Sequence, residues 1–300
     1  MDYLGIIKKA YEIASRRKYL WIFGILAGGA IGGGWNFSMP STSSSFDEGK
    51  IENFFNRFNF ETFIDHYWGI IFAIIGLILL LGLLWFVFSL ISQGALLGSV
   101  RAISNNEENN FRTGLVFGWH KFWKVLAVGL LIGLIVLTSL AILALPVILL
   151  VLAKIYALAI IYGVLIFLAD LVCWIYLGLV QPYILRLAIL GQRGSWRAIG
   201  ESLLFFKENW KEIVVMYLLV LAIGIGVAIG LLLIMLFVGG LLFAIGFAIY
   251  LASHWACWIY AGLSGLALVS FFLILNGIVS SFYSAIFTLT YLELDKKPRS

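Results

Sequence analysis

The feature that most limits what this chain can become is a set of long runs almost free of charge. Tyr19–Trp35, Trp68–Val100, Val125–Ala153, Ile155–Leu185 and Ile213–Leu292 together contain one charged residue, Asp170. A membrane-crossing helix needs about 20 apolar residues, so the last run must hold at least two crossings. Barrel strands would alternate apolar and polar positions. These runs are apolar on every face and read as helices. Composition agrees: 63% of the 300 residues are hydrophobic and 12% charged. Soluble domains carry about 45–50% apolar and about 25% charged residues. Soluble-enzyme, nucleic-acid-binding and disordered classes are therefore excluded.

The distribution of positive charge sets the expected orientation. Seventeen of the 20 Lys and Arg fall in the N-terminal segment, 101–124, 186–212 and the tail. Segment 36–66 has only Lys50 and Arg57 against Asp47, Glu48, Glu52, Glu61 and Asp65, and Lys154 stands alone between two apolar runs. Basic loops stay on the cytoplasmic side. Both termini are thus expected to be cytoplasmic, with 36–66, the Lys154 turn and the region near 237–256 outside. That requires an even number of crossings, and six fits. The expectation is an all-α, multi-pass protein of the cell membrane. Its six helices form one membrane domain of three hairpin units, 1–100, 101–190 and 191–300, with an outer loop at 36–66. The arrangement of 237–266 stays open at this point. So does the role of the Phe-rich outer loop, which carries Phe54, Phe55, Phe58, Phe60 and Phe63.

Each unit is expected to begin with an amphipathic helix lying in the headgroup layer. Tyr3, Ile6, Ile7, Ala10, Ile13 and Ala14 share one face of the first. Phe111, Gly114, Leu115, Gly118, Trp119 and Phe122 share a face of the second; Trp196, Ile199, Leu203, Phe206 and Trp210 of the third. An apolar stripe with a charged opposite face suits a membrane surface. Ser195 is the expected N-cap of the third. Each segment leads into its span through aromatic and basic residues: Lys18 and Trp21, Trp123 and Lys124, Trp210 and Lys211. Trp sits at the membrane interface, while Lys extends its amine to the headgroups. Anionic headgroups on the cytoplasmic face are therefore expected partners; a membrane-protein partner or a second copy would be a further one.

Glycines at four-residue spacing let helices approach closely. Gly24, Gly28 and Gly32, Gly94 and Gly98, Gly129 and Gly133, and Gly226 and Gly230 are the candidates for such packing. Pro146 is expected to end or kink the third span.

Chemistry-bearing residues are few. Asp170 is the one acid inside an apolar run, and an intramembrane acid is a ligand or proton-site candidate by default. Asp170-Leu-Val-Cys-Trp-Ile-Tyr echoes His254-Trp-Ala-Cys-Trp-Ile-Tyr, which makes His254 a second candidate. Against this stand a protonated Asp bonded to a neighbouring helix and a His that bonds structurally. Cys173 and Cys257 form no metal or disulfide spacing. Gly262-Leu-Ser264-Gly matches a rhomboid-type serine box, but no histidine follows residue 254 to act as base. No catalytic residue, metal site or cofactor is expected.

Tyr183-Ile-Leu-Arg186-Leu-Ala-Ile-Leu, Trp196-Arg-Ala-Ile-Gly-Glu-Ser202 and Asn209-Trp210-Lys211 together resemble a known membrane domain, the one that precedes some glycerophosphodiester phosphodiesterases. Leu4-Gly5 with Lys9-Ala10-Tyr11-Glu12, and Ser284-Ala285 with Leu289-Thr290-Tyr291, resemble its two ends. The resemblance implies a six-helix prokaryotic membrane protein without the catalytic domain, and it supplies no catalytic residues. Two functional readings follow. One is a non-enzymatic accessory, scaffold or regulatory protein. The other is a transporter or lipid-binding protein using a cleft near Asp170 and His254.

Overall fold

The computed structural model describes residues 1–28, 60–191 and 194–296. Among these residues all regular structure is helical. The elements are α1 (Tyr3–Arg16), α2 (Tyr19–Ala27), α3 (Phe60–Ser104), α4 (Phe111–Leu152), α5 (Tyr156–Ile189), α6 (Ser195–Glu208), α7 (Trp210–Ala252) and α8 (His254–Asp295). Five of them, α3, α4, α5, α7 and α8, are long and apolar enough to cross a membrane. The first expected span coincides with α2 and then continues beyond the described residues. A 42-residue helix such as α4 is about 63 Å long at 1.5 Å per residue, about twice the hydrocarbon thickness.

Local sequence explains where these helices start and stop. The Asp2 carboxylate accepts from the Gly5 N–H at 2.9 Å and caps α1. Asn110 and Thr113 cap α4 reciprocally, the Asn110 N–H donating to Thr113 Oγ1 at 2.9 Å. α4 continues through Pro146 to Leu152, so of the two expected outcomes, an end or a kink, the end is excluded. The turn that follows is tight, and Lys154 takes a left-handed backbone with φ 61. α7 and α8 meet at Ser253 alone, whose extended φ of −161 reverses the chain. The stretch 237–266 is thus a helical hairpin with its turn at Ser253, just before His254. Helix already begins at Phe60, so the end of the expected outer loop belongs to α3, and Phe54, Phe55 and Phe58 lie outside the described residues.

Packing is concentrated at one end of the long helices. The core cluster comes from α1, α2, α6 and the ends of the long helices nearest them. It includes Leu90, Leu97 and Val100 of α3, Val125 and Val128 of α4, Val180, Tyr183 and Ile189 of α5, Ile213, Met216 and Val220 of α7, and Tyr283, Ile286 and Leu294 of α8. Small residues allow this closeness. A Cβ on Gly94 would stand 3.1 Å from the Gly118 Cα across the α3–α4 seam. A Cβ on Gly24 would overlap the Gly277 carbonyl and Ser281 Oγ of α8. Ser281 Oγ lies 2.7 Å from both the Leu20 and Gly277 carbonyl oxygens, so its proton ties α8 to α2. In lipid, such van der Waals contact and interhelical bonding drive association.

Beyond this end the helices carry apolar side chains outward, among them Leu79 of α3, Leu137 of α4, Phe167 of α5, Leu236 of α7 and Leu266 of α8. The expected packing glycines divide along the same line. Gly24, Gly28, Gly94 and Gly98 meet neighbouring helices, and Gly129 is buried. Gly133, Gly226 and Gly230 face open space: a Cβ there would meet nothing within 4 Å. Gly32 lies outside the described residues. Gly114, Gly118 and Gly277, not among the candidates, complete the two seams.

Two of the three amphipathic segments depart from the expectation too. α1 buries Ile6, Ala10, Ile13 and Ala14 within the protein core, so this face meets helices rather than headgroups. Residues 111–122 are the first turns of α4 and not a separate helix. α6 is a separate helix, as expected; it buries Ala198, Ser202 and Phe205 in the bundle and leaves Trp196 and Leu203 of the expected stripe exposed. Gly194, and not Ser195, occupies its N-cap position.

Candidate functional site

The polar centre of the packed end starts from a proline. Pro182 sits inside α5 and has no N–H, so the Gly178 carbonyl lacks its helical donor. The Tyr217 hydroxyl of α7 fills that place, donating to Gly178 O at 2.6 Å. One turn on, Arg186 is buried, with 5% of its surface exposed. The basic pattern assigned Arg186 to a cytoplasmic segment. It is not a loop residue: it stands in the last turns of α5, buried against α8.

Three of its five N–H donors are committed. Nε donates to Thr288 Oγ1 at 3.2 Å, one terminal nitrogen to the Pro182 carbonyl, and the other to the Ser284 carbonyl at 3.1 Å. Thr288 Oγ1 donates onward to the same Ser284 carbonyl at 2.7 Å. The guanidinium also stands 5.6 Å from the centre of the Phe287 ring. All of these partners are neutral.

Aromatic rings surround the group. Tyr217 packs on Phe287 at 5.0 Å between ring centres, and Tyr183 lies between Phe205 at 5.9 Å and Phe287 at 6.3 Å. The Tyr183 hydroxyl is buried and has no hydrogen-bond partner. A fixed cation with neutral acceptors, two spare donors and an idle phenol favours an incoming oxyanion.

The residues singled out from sequence lie elsewhere. Asp170 is mid-helix in α5 and half-buried, with its Oδ1 buried and unpartnered. His254 is exposed at the start of α8, its ring 4.5 Å from that of Tyr250. No hydrogen bond or ion pair joins the two. The echoing segments thus occupy different places in their helices, one mid-helix and one at a helix start. Cys173 and Cys257 are free thiols. No group of His, Cys, Asp and Glu able to hold a metal occurs among the described residues. Of the expected anchors, Trp123 and Trp210 are exposed, Lys18 and Lys211 are exposed and Lys124 is half-buried. Lys211 Nζ lies 5.8 Å from the Trp210 ring centre. Trp21 instead turns back, its indole donating to Ala14 O at 2.7 Å and tying α2 to α1.

Sequence reasoning missed the Arg186 centre because a basic residue at the end of an apolar run reads as a loop residue. One signal was available: Gln181-Pro182 with Arg186 one turn later, inside a run that had not yet ended.

The fold and the lipid-compatible surface define a multi-pass α-helical membrane protein. The chain belongs to the family of unknown function DUF7544, which it matches over residues 18–294. No curated protein and no solved structure matches it.

Proposed function

We propose that this is a non-enzymatic accessory protein of the cytoplasmic membrane, a scaffold or regulatory subunit with both termini inside. The observation that carries this is the division of the helices. One end holds the buried core; the α4–α5 and α7–α8 hairpins extend from it with outward apolar side chains. Such arms offer another helix a surface on which to pack by shape. The basic residues Lys8, Lys9, Arg101, Lys121 and Lys207 cluster with the packed end, which supports placing that end inside. The experiment is photo-crosslinking in native membranes from probes at Leu168 and Leu236, both exposed. A discrete protein adduct supports the reading; lipid adducts alone at both positions refute it.

A second reading, an amphiphile-binding or transport protein, is favoured by the cation without an anionic partner and by the unpartnered Asp170 oxygen. If Asp170 contacts the ligand, Asp170→Asn abolishes binding while the fold survives. Unchanged binding removes Asp170 from this reading.

A further inference from the structure

The geometry points to Arg186 and the Tyr183 hydroxyl as an anion site, covered by Tyr217, that takes the phosphate of an anionic lipid. This deepens the amphiphile-binding reading, on which it rests, and moves the polar contact from Asp170 to Arg186. Four observations carry it. First, Arg186 is buried in an apolar bundle and every hydrogen-bond partner it has is neutral. A buried charge is stable only when compensated, and a hydrogen-bonded oxyanion is the usual complement of a guanidinium. Second, two guanidinium N–H groups are spare, enough for the two-point contact that arginine makes with phosphate.

Third, Tyr183 is on the same helix three residues earlier, and its hydroxyl is fully buried with no partner. A buried hydroxyl left idle is a cost unless something is bound there for part of the time. Fourth, the cover is of a kind that opens. Tyr217 is half-buried and rests on the same Phe287 ring as Arg186. Its hydroxyl is held by the carbonyl that Pro182 leaves free, two turns from Arg186 toward the far end of α5. Turning Tyr217 breaks one hydrogen bond. Past it, α5 and α7 both carry exposed apolar side chains, Val172 and Ile175 on one, Leu221 and Ile225 on the other. These suit acyl chains, so an amphiphile fits better than a free ion.

The test uses the full chain in a neutral detergent. Native mass spectrometry is titrated with dioleoylphosphatidylglycerol, with dioleoylphosphatidylcholine and with inorganic phosphate. The expected result is one retained phosphatidylglycerol per chain and at least tenfold weaker binding of phosphatidylcholine. Arg186→Gln should weaken phosphatidylglycerol binding at least tenfold; Arg197→Gln, an exposed cation on α6, should leave it unchanged. Tyr183→Phe guards against Arg186→Gln failing to fold. It removes only the idle hydroxyl, so a purely structural centre leaves affinity unmoved, whereas the anion site loses about tenfold. Phosphate binding that Arg186→Gln abolishes, without lipid preference, would support the anion site and assign its source to water. Equal binding of both lipids, or wild-type affinity in both Arg186→Gln and Tyr183→Phe, overturns the site. No retained lipid or phosphate in the wild type sinks the amphiphile reading itself. Loss in Asp170→Asn with wild-type affinity in Arg186→Gln and Tyr183→Phe keeps that reading and removes this site.

Discussion

Replacing Gly24 with alanine should separate packing from helix propensity in this bundle. Alanine gains about 0.8–1.0 kcal/mol over glycine inside a helix. At Gly24 that gain meets a backbone wall, since the new methyl would overlap the Gly277 carbonyl and Ser281 Oγ. A carbonyl on a neighbouring helix cannot rotate aside, so α2 and α8 must separate. Overpacking of this kind costs about 1–3 kcal/mol. Weakening the Ser281 bond to Leu20 O, now 2.7 Å, adds about 1 kcal/mol. The net expectation is a loss of about 1–3 kcal/mol, or a fall of about 2–6 °C in Tm for a chain this large. Gly133→Ala is the matched control, because nothing lies within 4 Å of a Cβ there. It should melt at or slightly above the wild type. The assay is scanning fluorimetry of the 11 tryptophans in one detergent. Gly24→Ala melting level with Gly133→Ala would refute the seam and the packing argument behind it.

Three further outcomes follow from the same structure. Tyr217→Phe strands the Gly178 carbonyl and should cost about 1–3 kcal/mol in thermal unfolding; in a Pro182→Ala background, where residue 182 again donates, the cost should shrink in a double-mutant cycle. Thr288→Val leaves Arg186 Nε without its acceptor and should lower Tm by an amount corresponding to about 1.5–3 kcal/mol, more than Thr138→Val on the exposed part of α4. Arg16→Ala breaks the 3.0 Å ion pair with Glu12, both side chains exposed, and should change stability by under about 0.5 kcal/mol, a difference that disappears in high salt.

How far sequence reaches here depends on which force places a residue. The long apolar runs predicted helices, and helices fill them, because a chain in hydrocarbon must satisfy its backbone internally. Lys154 was expected at a turn between two spans, and a turn is where it stands, since a lone charge between two apolar runs has nowhere else to go. The interfacial helices were less legible. An apolar stripe records only that a face avoids water, and protein and lipid satisfy that equally. So α1 placed Ile6 and Ala10 into the core instead of on headgroups. Residues 111–122 simply continued into α4, as no sequence signal ends the helix there. Asp170 and His254 stood out because they are rare in such a composition, and rarity carries no information about what lies beside them.

Taken alone, then, sequence determined the solvent, the helical class and the distribution of charge, since each depends on what a residue is. Tertiary structure decided which glycines form seams: Gly24 meets the Gly277 backbone, while Gly133, on the same small-residue pattern, meets nothing. It also turned Arg186 from a boundary marker into a buried polar centre between α5 and α8. Its partners come from residues 182, 284, 287 and 288, a span of some hundred residues. That juxtaposition depends on how α5, α7 and α8 pack. Hydropathy is blind to it, because every face of these helices is apolar and none points to its neighbour.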